Sequence, residues 1–419
     1  MEVPLPTAGD NELLVAVCAS VISTGTETMN MRKEDKTIGE KLREKKEIIN
    51  KVRQLLEQNG FKNTIEAIKN KLSPSEQALL FQPVGYSNTG IVVSKGNLVT
   101  DFNVGDRVAC AGAGIAAHAE YSAVPVNLAV KVPEEVSYEA ASFTTIGAIA
   151  MQGIRRANLT FGETVVITGL GLLGLLAVQI AKAWGLSVIG SDINPGRLEL
   201  AKQLGADCCL NARDPNFKKH VMEFTHGHGA DAVIIYASTR DSSPANQALD
   251  VCRKRGRVVV VGAVGMDLHR DSMYSNELDF VMSTSYGPGR YDKIYELKGV
   301  DYPIGYVRWT ENRNMIEFVN LLARGAVKVE QLISRSFTID QAQEAYRILV
   351  ENPTDNISCL FNYQHREESI PIISYMVVKP NMVTSEKIRV GIVGAGSFIQ
   401  MNHLANILEL PRDYEVVAI

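Results

Sequence analysis

The chain has 419 residues, 46% of them hydrophobic and 21% charged, with a formal net charge of −4. This is the composition of a soluble globular protein with two or three domains, at roughly 150 residues each. The mild acidity leaves no basic footprint, so nucleic acid is excluded as an expected partner.

The N-terminal stretch "MEVPLPTAGDNE" has an early acid and two prolines but no apolar core, unlike a signal peptide. Residues 12–22, "ELLVAVCASVI", read as a strand, followed by 90–93, 106–112 and 119–125. These short strands, broken by Gly, Pro and Asn, predict an irregular β-rich domain. Between them, residues 39–59 place Leu42, Ile48, Ile49, Val52, Leu55 and Leu56 on one helical face, and a second helix is expected over 64–72. The pair is expected to pack as a hairpin on the β-rich domain, the alternative being a partner-binding or substrate-capping role.

From Glu163 the rhythm changes to alternating strand and helix: "TVVITG", "LLGLLAVQIAKAWG", "LSVIGSD", "NPGRLELAKQLG", "DAVIIYAS", "ANQALDVCRKRG" and "RVVVVGAVG". Apolar strands separated by helices of about ten residues imply a parallel sheet covered on both faces. The apolar run 165–181 contains Gly169, Gly171 and Gly174, and reads as strand, turn and helix rather than a membrane span. "HGHG" at 226–229 reads as a solvated loop. Two helices follow after residue 300. Thr338 and Gln341 form a capping box at the start of the second. Residues 361–386 read as a final strand and a linker. The six cysteines are dispersed, with no C-x-x-C pair, which fits free thiols in the cytoplasm.

The chemistry lies in "TGLGLLG". Gly169, Gly171 and Gly174 have G-x-G-x-x-G spacing, follow a strand and open a helix inside a βαβ unit. The first glycine makes a tight turn, the second admits a pyrophosphate, and the third lets helix and strand pack closely. The phosphates would sit on the N–H groups of the helix start. Asp192 ends the next strand, 23 positions after Gly169. A carboxylate there accepts hydrogen bonds from ribose hydroxyls and repels a 2′-phosphate, which predicts NAD rather than NADP. Arg197, at the following helix start, reads either as a contact for the adenosine ribose or as a solvated residue.

The stretch "GLGLLGLLAVQIAKAWGLSVIGSDINPGRLELAKQLGAD" resembles the cofactor domain of medium-chain alcohol dehydrogenases. The resemblance extends over about 1–360 through "STGTE", "VGYSNTG", "NVGDRVA" and "HAEYSAVP". It implies an α/β architecture: a GroES-like β-rich catalytic domain (1–145 and 301–365, with a helical insert at about 30–80) around a doubly wound Rossmann domain (146–300). It adds Leu172, Leu173, Ala237, Gly262, Val264 and Thr145 as expected cofactor contacts. It also implies a small-molecule substrate, such as a sugar, and allows a homo-oligomer.

After a linker (366–386), "KIRVGIVGAGSFIQMNH" resembles the start of a Gfo/Idh/MocA dehydrogenase, through Gly394, Gly396 and His403. Bacterial bi-domain oxidoreductases join these families in this order and carry a similar insert and "YGPGRYD" stretch. Residues 387–419 are therefore expected to be the truncated start of a second Rossmann domain.

The superfamily's zinc-ligand positions fall on Thr24, Tyr86-Ser87 and Thr144 or Thr145, none of them a good zinc ligand, and no metal is expected. Tyr86, Glu27 and Tyr286 are the catalytic candidates, the first donating a hydrogen bond and the second binding a substrate hydroxyl. These two also read as packed or turn residues. Tyr286 and Arg290 read either as cleft residues or as structural ones, and His118 as a strand-end residue. The expected activity is zinc-independent NAD(H)-dependent oxidoreduction of a sugar or polyol. Alternatives are reduction of an activated C=C bond, or a dinucleotide-binding scaffold.

Overall fold

The computed structural model describes residues 5–23, 25, 27, 83–351, 356–363, 387–391, 403–410 and 412–418. The helices expected over 39–72, Thr24, Gly394 and Gly396 lie outside the described residues. The chain divides into two units, Met1–Pro371 and Ile372–Ile419.

In the first unit, β1 (Glu12–Ser23), β2 (Ser87–Lys95), β3 (Arg107–Ala111), β4 (Tyr121–Pro125) and β5 (Ala129–Lys131) come first along the chain. The strands β6 (Thr164–Thr168), β7 (Ser187–Asp192), β8 (Cys208–Asn211), β9 (Ala230–Ile235), β10 (Cys252–Val260) and β11 (Asp279–Met282) follow, and β12 (Ile333–Thr338) and β13 (Ser358–Asn362) come last. The first five and the last two make one seven-stranded sheet in the order β12-β13-β1-β2-β3-β5, with β4 also on β1. β1 is the hub: it pairs antiparallel with β13, β2 and β4. Nearly every β1 residue is buried, which explains its unbroken apolar run.

The other six strands form a parallel sheet in the order β11-β10-β9-β6-β7-β8. Counted from β6, this is the 3-2-1-4-5-6 order of a doubly wound dinucleotide fold. Alternate residues face opposite layers. Val165 and Ile167 join a core that includes Leu175 and Leu176 of the helix Leu172–Ala183. Val166, Val233 and Val258 join another that includes Val221 and Leu249. Each such side chain contributes roughly 1.5–3 kcal/mol by leaving water.

Two sequence expectations are corrected. The helix expected to run to Gly256 ends at Val251, and Cys252 already starts β10. Cys252 is extended and pairs with Ala230, Arg255 is left-handed with φ 59°, and the register slips before Arg257. The segment is a bulged strand whose charged residues mimic a helix end. The last strand of the unit, expected after residue 361, occupies Ser358–Asn362, held by β1 and β12. The "HGHG" segment is a turn exposed at 226–228 and buried at Gly229, with His226, Gly227 and Gly229 at positive φ.

In the second unit, β14 (Ile388–Gly391) and β15 (Tyr414–Ala418) pair in parallel, with a short helix, Ala405–Leu408, between them in the chain. A parallel pair needs such a crossover rather than a hairpin. No helix among the described residues is long and apolar enough to cross a membrane.

Candidate active site

The glycine turn joins β6 to the helix Leu172–Ala183, and its three glycines do three different jobs. Gly169 has φ 91°, and a Cβ there would lie 2.5 Å from the Ala237 nitrogen. At Gly174 a Cβ would lie 2.0 Å from the Gly169 carbonyl oxygen. Gly171, the helix N-cap, faces open space. Two glycines are thus required by packing, and the third leaves room for a ligand against the helix N-terminus. A Cβ at Gly262, just past β10, would meet the Ala237 oxygen at 2.1 Å. Gly169, Ala237 and Gly262 therefore meet at the carboxyl ends of β6, β9 and β10. The strand order reverses between β6 and β9, where open α/β sheets bind ligands. Leu172 is buried at the helix start, and Leu173 and Val264 are half-buried.

Asp192 ends β7 and is 8% exposed. One carboxylate oxygen accepts the Leu170 N–H at 2.7 Å, and the other accepts the Asn194 N–H at 2.8 Å. Two backbone donors fix its orientation, and each oxygen keeps acceptor capacity for a ribose hydroxyl. Arg197, in the helix Pro195–Gln203, is half-buried, and its Nε–H is buried without a partner. An open Gly171, an anchored acid and an orphaned donor fit a dinucleotide.

On the β-rich side, Gly85 has φ 99°, and a Cβ there would lie 2.9 Å from the His118 ring. Tyr86 follows it, half-buried against the main core. The Ser87 hydroxyl donates to the Ser142 carbonyl at 2.6 Å and accepts the Thr145 N–H at 3.3 Å. The Thr145 hydroxyl donates to the Cys110 carbonyl at 3.2 Å, and that of Thr144 to Ala141 at 2.6 Å. These hydroxyls are spent on the backbone at the start of the helix Thr144–Ala157. Burial pushes the Cys110 thiol far up, which keeps it neutral. Among the described residues no group of three or more His, Cys, Asp or Glu could hold a metal ion.

Glu27 is 5% exposed and sits in a network that sequence reasoning missed. Its carboxylate accepts the Ser23 N–H at 3.0 Å and the Tyr346 hydroxyl at 2.6 Å, and pairs with His118 Nε2 at 3.2 Å. His118 Nδ1 lies 2.7 Å from the Ser20 hydroxyl, which lies 3.1 Å from that of Tyr363. His118 is thus a network member rather than a plain strand-end residue. No spacing in the sequence relates Glu27 to Tyr346, 319 positions away.

Tyr286 is 2% exposed, with its hydroxyl unpartnered. It lies inside the protein rather than on an open cleft wall, close to Arg290, which is ion-paired with Glu296.

Residues 173–298 match the family described as zinc-binding dehydrogenase. Over 226 residues the chain is 29% identical to the D-arabitol-phosphate dehydrogenase of Enterococcus avium, covering 52% of this chain and 57% of that protein. It is also 29% identical, over 293 residues, to the D-guloside 3-dehydrogenase of Escherichia coli K12, covering 68% of this chain and 75% of that protein. The chain thus spans little more than half of the first relative. Among solved structures, the alcohol dehydrogenase TADH from Thermus sp. ATN1 superposes with a TM-score of 0.62 at 19% identity, covering 87% of this chain and 96% of the other. That likeness shows the fold.

Proposed function

We propose that this chain, a medium-chain dehydrogenase by fold and by the sequence of its cofactor segment, is a zinc-independent oxidoreductase. It would exchange a hydride between NAD(H) and a hydroxyl or ketone of a sugar or polyol. The observation that carries the nicotinamide reading is the turn in which Gly169 and Gly174 are locked by packing while Gly171 faces open space. The bound nicotinamide would supply or receive the hydride. Gly171 and the helix start would hold the pyrophosphate, and Asp192 the adenosine ribose. The same carboxylate would repel a 2′-phosphate, which supports NAD. The sugar or polyol class is supported by the names of the relatives.

Zinc independence is supported by the donor set. The resemblance puts Thr24, Tyr86-Ser87 and Thr144 or Thr145 at the ligand positions, and the Ser87 and Thr145 hydroxyls donate to backbone carbonyls. Zinc takes thiolate, imidazole or carboxylate. Tyr86 would then donate a hydrogen bond to the substrate oxygen, and losing such a donor costs about 10²–10³ in rate.

Titration with NADH and NADPH, metal analysis after chelation, and deuterium transfer from labelled NADH to a panel of ketoses test the reading. Tighter NADPH binding, one retained zinc per chain, or an unchanged rate in folded Tyr86→Phe each removes the corresponding part.

A further inference from the structure

Five polar side chains outside the nucleotide turn are brought together by the loop 283–292 and the two helices after it. The loop leaves β11 with the Ser283 N–H on the Val260 carbonyl at 2.9 Å, so it starts at the same sheet edge as Gly262. It supplies Tyr286 and Arg290. The helix Lys293–Lys298 supplies Tyr295 and Glu296, and the helix Glu311–Ala323 begins with Glu311. That last helix grips the loop: the Glu311 N–H donates to the Pro288 carbonyl at 2.8 Å, and the Asn314 side chain to the Tyr286 carbonyl at 2.9 Å.

Glu311 is 0% exposed, yet neither carboxyl oxygen has a partner. The Tyr286 hydroxyl and the Arg290 Nε–H are also buried and unpartnered. Buried polar groups are almost always satisfied, so several orphans in one place call for a missing partner. The Arg290 guanidinium lies 5.5 Å from the Tyr286 ring centroid. Burial, and then the Glu296 charge, push the Glu311 carboxyl up to about 9 against the pull of Arg290, so it is neutral at pH 7. Burial, and then Glu311, raise the Tyr286 phenol.

The orphans specify the chemistry of the missing partner. A neutral carboxyl and a phenol each donate and accept, while Arg290 Nε only donates. An alcohol hydroxyl also donates and accepts, so it can answer all three. A phosphate or carboxylate could take a bond from all three donors, but it would leave the Glu311 carbonyl oxygen without a donor and would face the Glu296 carboxylate. We propose that Glu311, Tyr286 and Arg290 form an enclosed subsite for neighbouring hydroxyl groups of a neutral sugar or polyol, with the loop 283–292 as its cover. The inference rests on the sugar or polyol reading above and gives that substrate a place. The cover is built on unusual backbone: Ser285 and Tyr291 hold φ of 47° and 70°, and Gly287 and Gly289 lie between them at 127° and 108°. Tyr291 is 70% exposed at its outer end.

Infrared difference spectroscopy of the whole chain, with sorbitol and D-arabitol as probes and sulfate as control, tests the proposal. The carbonyl stretch of a protonated carboxylic acid is expected at pH 7, absent in Glu311→Gln, and shifted by either polyol but not by sulfate. Trp309, two positions before Glu311, gives a second readout in a Trp184→Phe background. Its fluorescence should respond saturably to polyol, about 10-fold more weakly in Tyr286→Phe, the loss expected for roughly one hydrogen bond. If Glu311→Gln fails to fold, the ligand-induced shift in the unaltered protein and the Tyr286→Phe titration decide. An acid band unmoved by both polyols at molar concentration, a shift by sulfate alone, or no acid band overturns the subsite. NADH titration of the same sample separates the two readings. NADH binding with no polyol response sinks only the subsite, and a polyol response without NADH binding sinks only the oxidoreductase.

Discussion

The carboxylate of Asp192 accepts the Leu170 N–H at 2.7 Å, so the acid at the end of β7 holds the turn that follows β6. In the proposed nicotinamide site, one side chain would both orient the acceptor for a ribose and steady the cradle for a pyrophosphate. Asp192→Ala should weaken NADH about 10- to 100-fold, each decade being worth about 1.4 kcal/mol. It should erase preference over NADPH. Two backbone donors lose their acceptor, so stability should also fall by about 1–3 kcal/mol. Isothermal titration and urea denaturation read the two effects, and an undiminished preference for NADH would reassign the ribose contact.

Gly171 and Gly174 should respond in opposite ways to the same methyl group. At Gly174 the added carbon meets the Gly169 carbonyl at 2.0 Å, so Gly174→Ala should lower the melting temperature or prevent folding. At Gly171 it enters open space, so Gly171→Ala should melt close to the unaltered protein and bind NADH poorly. Equal NADH affinity in Gly171→Ala would show that no phosphate passes there.

Tyr346→Phe removes the 2.6 Å bond to Glu27 and leaves that buried carboxylate with His118 and the Ser23 N–H. A hydrogen bond to a charged group contributes about 1.5–3 kcal/mol. The denaturant midpoint should fall by that equivalent with the slope unchanged. A shift below about 0.5 kcal/mol would mean that the network is hydrated rather than closed.

Glu311 gives stability a pH dependence of definite sign. Its carboxyl titrates near 9 in the folded chain against an ordinary 4.5, so the folded state holds the extra proton between those values. Its contribution is fully present below about 4.5, is lost as pH rises toward 9, and changes no further above that. The slope in the window is at most about 1.4 kcal/mol per pH unit. Subtracting the Glu311→Gln profile from that of the unaltered protein isolates it. A flat difference between pH 5 and 8.5 would mean that the carboxyl is ionised.

Much of this protein was legible along the chain. β6, its turn and its helix are local signals: a buried apolar run, glycines at fixed offsets and a helical face, each set by neighbours within about ten residues. The alternation repeats through β10, so the parallel sheet and its Asp192 edge follow from short-range pattern. The boundary at Cys252 misled because "CRKRG" is equally compatible with a helix end, and only its pairing with Ala230 makes it strand. What the tertiary structure alone decided is the fate of the polar side chains. Glu27 meets His118 and Tyr346 from 91 and 319 positions away, and Glu311 and Tyr286 are both buried. In sequence these are ordinary surface-type residues. Their burial, their partners and, for Glu311, its upward pKa shift arise only when distant elements pack and exclude water, an outcome that no local periodicity encodes.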